Sequence, residues 1–355
     1  MIKTNIIGCG VVTPLGNTPG DVFDALQAGR TAVREHPAGT LGLKEPFCAS
    51  LFEGPREDLF CRIAVEAGEK GLAEAGGLTP GTALVLCSVK GEIGSLREGE
   101  DVSLAASARK IAERLGIQGM PVVVSDACIS GLSGIVQARR MLLGGLWDRV
   151  LVIGAEVQSR FIVAGFNSLK ALSEQPCRPF DASRSGLNPG EAAAALVLSL
   201  EDSPWEVVHG AIRNDANHIS GPSRTAEGSF NALSAVLPYM QGRPAFVGVH
   251  GTGTLYNDQM EAIALERAGL LDIPVSALKG YFGHTMGAAG ILETIIGMQS
   301  LLQGRIPGSR SFAQAGTEPS VNISAQAMEC SGNEFLKLLS GFGGINGALL
   351  IRHCV

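Results

Sequence analysis

In a chain of 355 residues, VVVSDACISGLSGIVQARRMLLGG (122–145) is the stretch where reactive chemistry is most plainly set up. An apolar β-branched run stops at Asp126 and Ala127, Cys128 follows, and Ser130, Gly131, Ser133 and Gly134 lead into a helical pattern. Leu132, Ile135, Val136, Leu142 and Leu143 recur at helical spacing and form one apolar face. Cys128 is therefore expected at or just before a first helical turn. There the positive end of the helix dipole favours a thiolate, and unpaired N–H groups can face an oxyanion. Small neighbours would leave room for a substrate. The plain alternative is a buried structural cysteine at a corner built for close packing, and this stretch alone does not separate the two.

Three further stretches could supply partners. In HGTGTLYNDQMEAIALE (250–266), His250 ends an apolar strand, Thr252 and Thr254 place hydroxyls on a Gly-rich loop, and Asn257, Asp258 and Glu261 open a helix. The C-terminal end of a strand is where open α/β sheets gather ligand groups. In VSALKGYFGHTMGAAG (275–290), Lys279 and His284 flank a second strand end before a Gly/Ala-rich helix. SGFGGINGALL (340–350) is a Gly-rich turn between apolar strands that presents one aromatic, Phe342. A lone histidine is more often structural, but two on Gly-rich strand ends in one half of the chain point to a site.

The elements that must position these residues are legible as alternating apolar runs. Strands are expected at 3–7, 83–87, 122–124, 150–154 and 194–198, then at 205–212, 245–250, 275–278, 335–339 and 348–351. Helices are expected at 21–28, 60–75, 103–115, 131–143, 256–268 and 287–302. Continuous apolar strands separated by helices imply a largely buried sheet covered on both faces. The order restarts after the break EDSP, which divides the chain into halves at 1–202 and 203–355. Charged residues make up 17% of the chain, below the usual share of about 25%, which implies extensive burial or a subunit interface. A net charge of −6 argues against a general nucleic-acid binder. Eight cysteines without a CxxC pair or zinc spacing read as reduced thiols. The opening MIKTNIIGCGVVTPLG reads as a first strand rather than a signal peptide, and no apolar run is long enough to span a membrane, so a cytoplasmic location is expected.

Taken together, the motifs resemble those of the elongating β-ketoacyl–acyl carrier protein synthases of the thiolase family. GCGVVTPLG, DACISG, RPFDASRSGLNPGEAAAALVL, HGTGTLYND, LKGYFGHTMGAAG and GFGGINGALL occur in the family's order, nearly end to end. The resemblance implies a thiolase-like α/β fold, with two duplicated halves in an αβαβα arrangement. Position by position, it makes Cys128 the acyl-accepting nucleophile and His250 and His284 the two active-site histidines. Lys279 becomes the neighbouring lysine, with Glu261 beside it and Asp258 as a structural acid. Thr252 and Thr254 would meet the phosphopantetheine arm, and Phe342 would gate the pocket and share an oxyanion hole with Cys128. Three departures suggest a specialised member. The chain is short before Cys128, Ile345 stands where threonine is usual, and Ser185 and GEAAAA replace Asp and GEGAG.

The implied reaction is a decarboxylative Claisen condensation. An acyl group moves onto Cys128, malonyl-carrier loses CO₂, and the resulting enolate attacks the thioester to lengthen a fatty acyl, polyketide or polyene chain by two carbons. The chain itself is expected to bind no metal or cofactor, since the phosphopantetheine belongs to the acyl carrier protein. A homodimer is expected, or a heterodimer with a chain-length-factor-like subunit in a specialised pathway. Arg139 and Arg140 are candidates for docking the acidic carrier. A thiolase is disfavoured because the C-terminal turn lacks a second cysteine, and an initiating synthase because His284 stands where asparagine would.

Overall fold

The computed structural model describes residues 2–96 and 101–354. The first half supplies β1 (Asn5–Val12), α1 (Pro19–Gln27), β2 (Val33–His36), β3 (Phe47–Ser50), α2 (Leu59–Glu74), β4 (Thr82–Cys87) and α3 (Leu104–Leu115). It continues with β5 (Val122–Val124), α4 (Ser130–Leu143), β6 (Arg149–Glu156), α5 (Arg160–Ser168) and β7 (Ala192–Ser199). The second half supplies β8 (Trp205–Asn214), α6 (Glu227–Val236), β9 (Val247–Gly248), α7 (Leu255–Arg267), β10 (Val275–Ser276), α8 (Lys279–Phe282) and α9 (Ala289–Gln303). It ends with β11 (Arg305–Ile306), β12 (Met328–Glu329), β13 (Glu334–Gly341) and β14 (Ile345–His353).

Ten strands form one sheet in the order β10-β9-β13-β14-β8-β1-β7-β6-β4-β5. Read inward from each edge, the halves repeat each other: β5-β4-β6-β7-β1 and β10-β9-β13-β14-β8. They join at a single pairing, Asn5 with Glu206. Each half has parallel outer strands and one antiparallel strand, β7 or β14, on the inner side. The apolar clusters give the layers. α2 and α3 cover one side of the first half-sheet, α6 and α7 cover the far side of the second, and α4 and α9 lie between the two. This is the αβαβα arrangement of the thiolase-like fold.

Among the strands that differ from the sequence expectation, β1 and β9 do so for a plain physical reason. β1 runs on through Gly8 and Gly10 to Val12, where the sequence suggested a stop at Ile7. Both glycines lie against α2, and a Cβ there would sit 2.3 Å from the Gly71 carbonyl oxygen or 2.1 Å from that of Ala67. The expected strand 245–250 keeps ladder pairing only at Val247–Gly248, because the Gly248, Val249 and His250 carbonyls accept from buried ammonium groups.

Candidate active site

Each half delivers its reactive residue by the same local device. In the first, β5 ends and Ala127 turns into the left-handed region (φ 47°). A short 3-10 turn over Ala127–Ile129 then carries Cys128 into α4. In the second, His284 is followed by Met286 (φ 41°) and a 3-10 turn over Met286–Ala288 that opens α9. Non-glycine residues in this region are uncommon and gather at functional sites.

The small residues after Cys128 serve backbone packing rather than substrate room. α4 and α9 cross where Gly131 meets Gly290. A Cβ on Gly131 would lie 2.7 Å from the Gly287 carbonyl oxygen, and one on Gly290 would lie 2.3 Å from the Leu132 nitrogen. This close crossing brings the two turns together.

Cys128, His250 and His284 are all buried, and one donor atom of each lies within 4.8 Å of the others. The imidazoles meet edge to face, with centroids 5.0 Å apart. Met286 N–H donates to His284 Nδ1 at 3.3 Å, so the ring proton sits on Nε2, which has no partner among the described residues. His250 Nδ1 likewise has no partner among the described residues. Burial first, and then the Lys279 ammonium, hold both imidazoles well below the usual histidine range, so they are neutral. The N–H groups of Phe342 and Cys128 point at the sulfur. Even so, burial pushes the Cys128 thiol up to about 12, so the resting site holds a thiol and not the dipole-stabilised thiolate expected from the sequence.

The strand end at His250 is held by charge. Glu261 accepts from the His250 and Gly251 N–H groups at 2.6 and 2.7 Å, and from the Asn257 amide at 2.9 Å. Asp258 accepts from Phe180, Thr252 and Gly253 N–H at 2.7, 3.1 and 3.2 Å, which clamps the loop after His250. The Lys279 ammonium donates to the His250 carbonyl at 2.6 Å and pairs with Glu293 at 2.9 Å. Its acidic partner is thus Glu293 on α9, not Glu261, whose two oxygens are taken up by the backbone.

A cavity of about 400 Å³ opens onto Cys128 and both histidines, with Thr252 and Thr254 on its wall. The two hydroxyls lie 2.9 Å apart. Phe342 is 37% exposed at the mouth and packs on Phe166 at 5.9 Å. Its turn is latched to a neighbouring loop: Gly343 N–H donates to the Ile219 carbonyl at 2.7 Å, and Asp215 N–H to that of Gly344 at 2.9 Å.

Sequence reasoning missed Glu156, which is buried at the end of β6. It accepts from the Ser88 hydroxyl at 3.1 Å and from the Val89 and Gly287 N–H groups at 3.0 Å, tying the first half to the His284 turn. Burial pushes its carboxyl up to about 7. Arg139 is not free for docking, since its guanidinium donates to the Val207 and Val208 carbonyls at 3.3 and 3.1 Å. Arg140 is exposed, but twelve residues of turn and helix place it about 18 Å from Cys128. A second cluster, Asp58, Cys61 and Glu92, has its carboxylates already paired with Lys110 and Arg114. Among the described residues no helix is long and apolar enough to cross a membrane.

A cysteine and two neutral histidines converging between duplicated α/β halves are the layout of a condensing enzyme. Residues 3–203 match the beta-ketoacyl synthase N-terminal domain, and residues 205–313 match the C-terminal domain. The chain belongs to the beta-ketoacyl synthase family and is an acyltransferase of the condensing type. It is 27% identical over 406 aligned residues to 3-oxoacyl-[acyl-carrier-protein] synthase 2 of Vibrio cholerae, covering 98% of each chain. It is 28% identical to the tetracenomycin polyketide synthase ketoacyl synthase alpha subunit of Streptomyces glaucescens, covering 98% of this chain and 96% of that one. The crystal structure of a beta-ketoacyl synthase from Burkholderia phymatum superposes over the whole of both chains, with a TM-score of 0.88 at 27% identity.

Proposed function

We propose that the protein elongates a carrier-bound acyl chain by two carbons through decarboxylative condensation, with Cys128 as nucleophile and His250 and His284 as enolate donors. The observation that carries this reading is the meeting of one thiol and two neutral imidazoles, each imidazole with an unpartnered buried nitrogen, at the floor of one cavity. In the first half-reaction the Cys128 thiol passes its proton to a neutral imidazole as the sulfur adds to the acyl-carrier thioester. The tetrahedral oxyanion is held by the N–H groups of Cys128 and Phe342, and the carrier thiol leaves with the proton. In the second, malonyl-carrier loses CO₂, and the electron pair of the broken C–C bond becomes the enolate. The imidazole N–H groups hold its oxygen. Its carbon attacks the Cys128 thioester, forming the new C–C bond and releasing sulfur as thiolate, which takes a proton from water.

Lys279 acts as a support, holding the His250 carbonyl. Thr252 and Thr254 meet the phosphopantetheine arm, which the acyl carrier protein brings, so the chain itself needs no bound cofactor. The carrier docks near the mouth, where exposed Lys170 lines the cavity. The chain works as two halves, 1–202 bearing the nucleophile and 203–355 the histidines and gate, within a dimer. A relative named as an alpha subunit favours a second reading of the same chemistry, in which that dimer pairs this chain with a related, chain-length-determining subunit. Mass spectrometry of acyl groups trapped on Cys128 tests the function and reads the substrate. A two-carbon-longer product released only when Cys128 is intact supports it, and elongation by Cys128→Ala would refute it.

A further inference from the structure

Lys337 lies in the middle of β13, in the apolar run EFLKLLSG, and is 1% exposed. A lysine at such a position is almost never left unpaired. Its ammonium meets Glu293 Oε2 at 2.5 Å and donates to the Val249 and Gly248 carbonyls at 2.8 and 3.2 Å. Lys279 takes the other Glu293 oxygen and the next carbonyl, that of His250. Two ammonium groups thus share one carboxylate and bind three successive carbonyls, which end on the residue that presents the catalytic imidazole.

We infer that Lys337 is a positioning residue for this site: it fixes the strand end that carries His250, and its charge, which Glu293 cannot cancel for two lysines at once, sets a positive field at both imidazoles. The second part rests on geometry and charge, while its effect on turnover rests on the condensing reading above. The groups that face this centre are Glu293 on α9, Lys279 on α8, Glu261 on α7, the two imidazoles and Cys128, and the Glu156 carboxylate acts on the sulfur by its charge. A positive charge among them disfavours a lasting second one on a ring, so the imidazoles are neutral donors when the enolate forms, and it favours negative charge where the enolate and the thiolate develop. After burial and Lys279, Lys337 is among the charges that hold both histidines below their ordinary range.

The test separates clamp from charge. Lys337→Gln keeps a donor toward the carbonyls and removes the charge, whereas Lys337→Met removes both. In full-length protein with ¹³C-labelled histidine, the protonation midpoints of His250 and His284 are followed by NMR and assigned with the single histidine variants. In Lys337→Gln at least one midpoint is expected to rise by about one pH unit. In parallel, CO₂ release from malonyl-carrier is measured against pH in a Cys128→Gln background. Its acid limb is expected to move up by the same amount in Lys337→Gln. A purely structural lysine would scale the rate equally at every pH and leave the midpoints unmoved, and that result in Lys337→Gln overturns the inference. If Lys337→Met does not fold, Lys337→Gln alone decides. If the Cys128→Gln parent releases no CO₂ at any pH, the condensing reading fails, and the imidazole midpoints still decide the role of Lys337.

Discussion

Replacing Glu293 with glutamine keeps its shape and removes the one carboxylate that serves two buried ammonium groups, at 2.9 Å for Lys279 and 2.5 Å for Lys337. The amide oxygen can accept from only one of them, and the amide NH₂ faces the other. Removing one partner of a buried ion pair costs about 3–5 kcal/mol. Glu261→Gln is the matched control. It leaves the Lys279 pairing intact and misplaces one backbone N–H, His250 or Gly251, which costs about 1–3 kcal/mol. Urea unfolding at a fixed protein concentration should rank Glu293→Gln as the more damaging of the two. pH adds a second reading. Burial already pushes the Lys337 ammonium below its ordinary value, and losing the carboxylate pushes it further. Between that lowered value and the ordinary one the folded state binds fewer protons than the unfolded state, so stability rises with pH. The Glu293→Gln deficit should therefore shrink between pH 7 and pH 9. A deficit under about 1 kcal/mol, a larger loss in Glu261→Gln, or a deficit equal at both pH values would refute the pairing.

Three other outcomes follow from the site. Because the Cys128 thiol sits near 12, its alkylation by iodoacetamide should rise about tenfold per pH unit from pH 7 to 10; a plateau below pH 8 would show a preformed thiolate. Gly131→Ala should lose about 1–3 kcal/mol in urea unfolding and slow condensation as α4 moves off α9; wild-type stability would mean the crossing is looser than its 2.7 Å approach to the Gly287 oxygen implies. Lys170→Glu should raise KM for the carrier severalfold at low salt, and less at high salt, with kcat little changed; an unchanged, salt-independent KM would move docking elsewhere.

Much of the site was legible because its chemistry sits where strands end in Gly-rich turns: Cys128, His250, His284, Thr252, Thr254 and Phe342 all reach one cavity. What stayed hidden was pairing across the fold. Nothing local to Lys279 tells a nearby Glu261 from Glu293 on a helix that packs over it. A signal was present nonetheless, since Glu293 is the single acid in the apolar helix AGILETIIGMQSLLQ and Lys337 the single cation in LKLLS. Charges that isolated from water must find each other. The helix at Glu227–Val236 was missed for want of a start signal, because the left-handed Ala226 precedes it and no side chain among the described residues caps it. The thiolate expected from the helix dipole was overruled by burial, which sequence spacing does not show.

In the proposed mechanism the histidines hold the enolate independently of the sulfur. The most direct test is labelled CO₂ release from malonyl-carrier by Cys128→Gln, alone and combined with His250→Ala or His284→Ala. Cys128→Gln sets an amide carbonyl where the acyl thioester would lie, so it should lose condensation yet keep or raise CO₂ release. Each histidine removal should lower that release by about 10²–10³. Release that continued at the parent rate without either imidazole would show that neither ring holds the enolate and leave both histidines with a structural role.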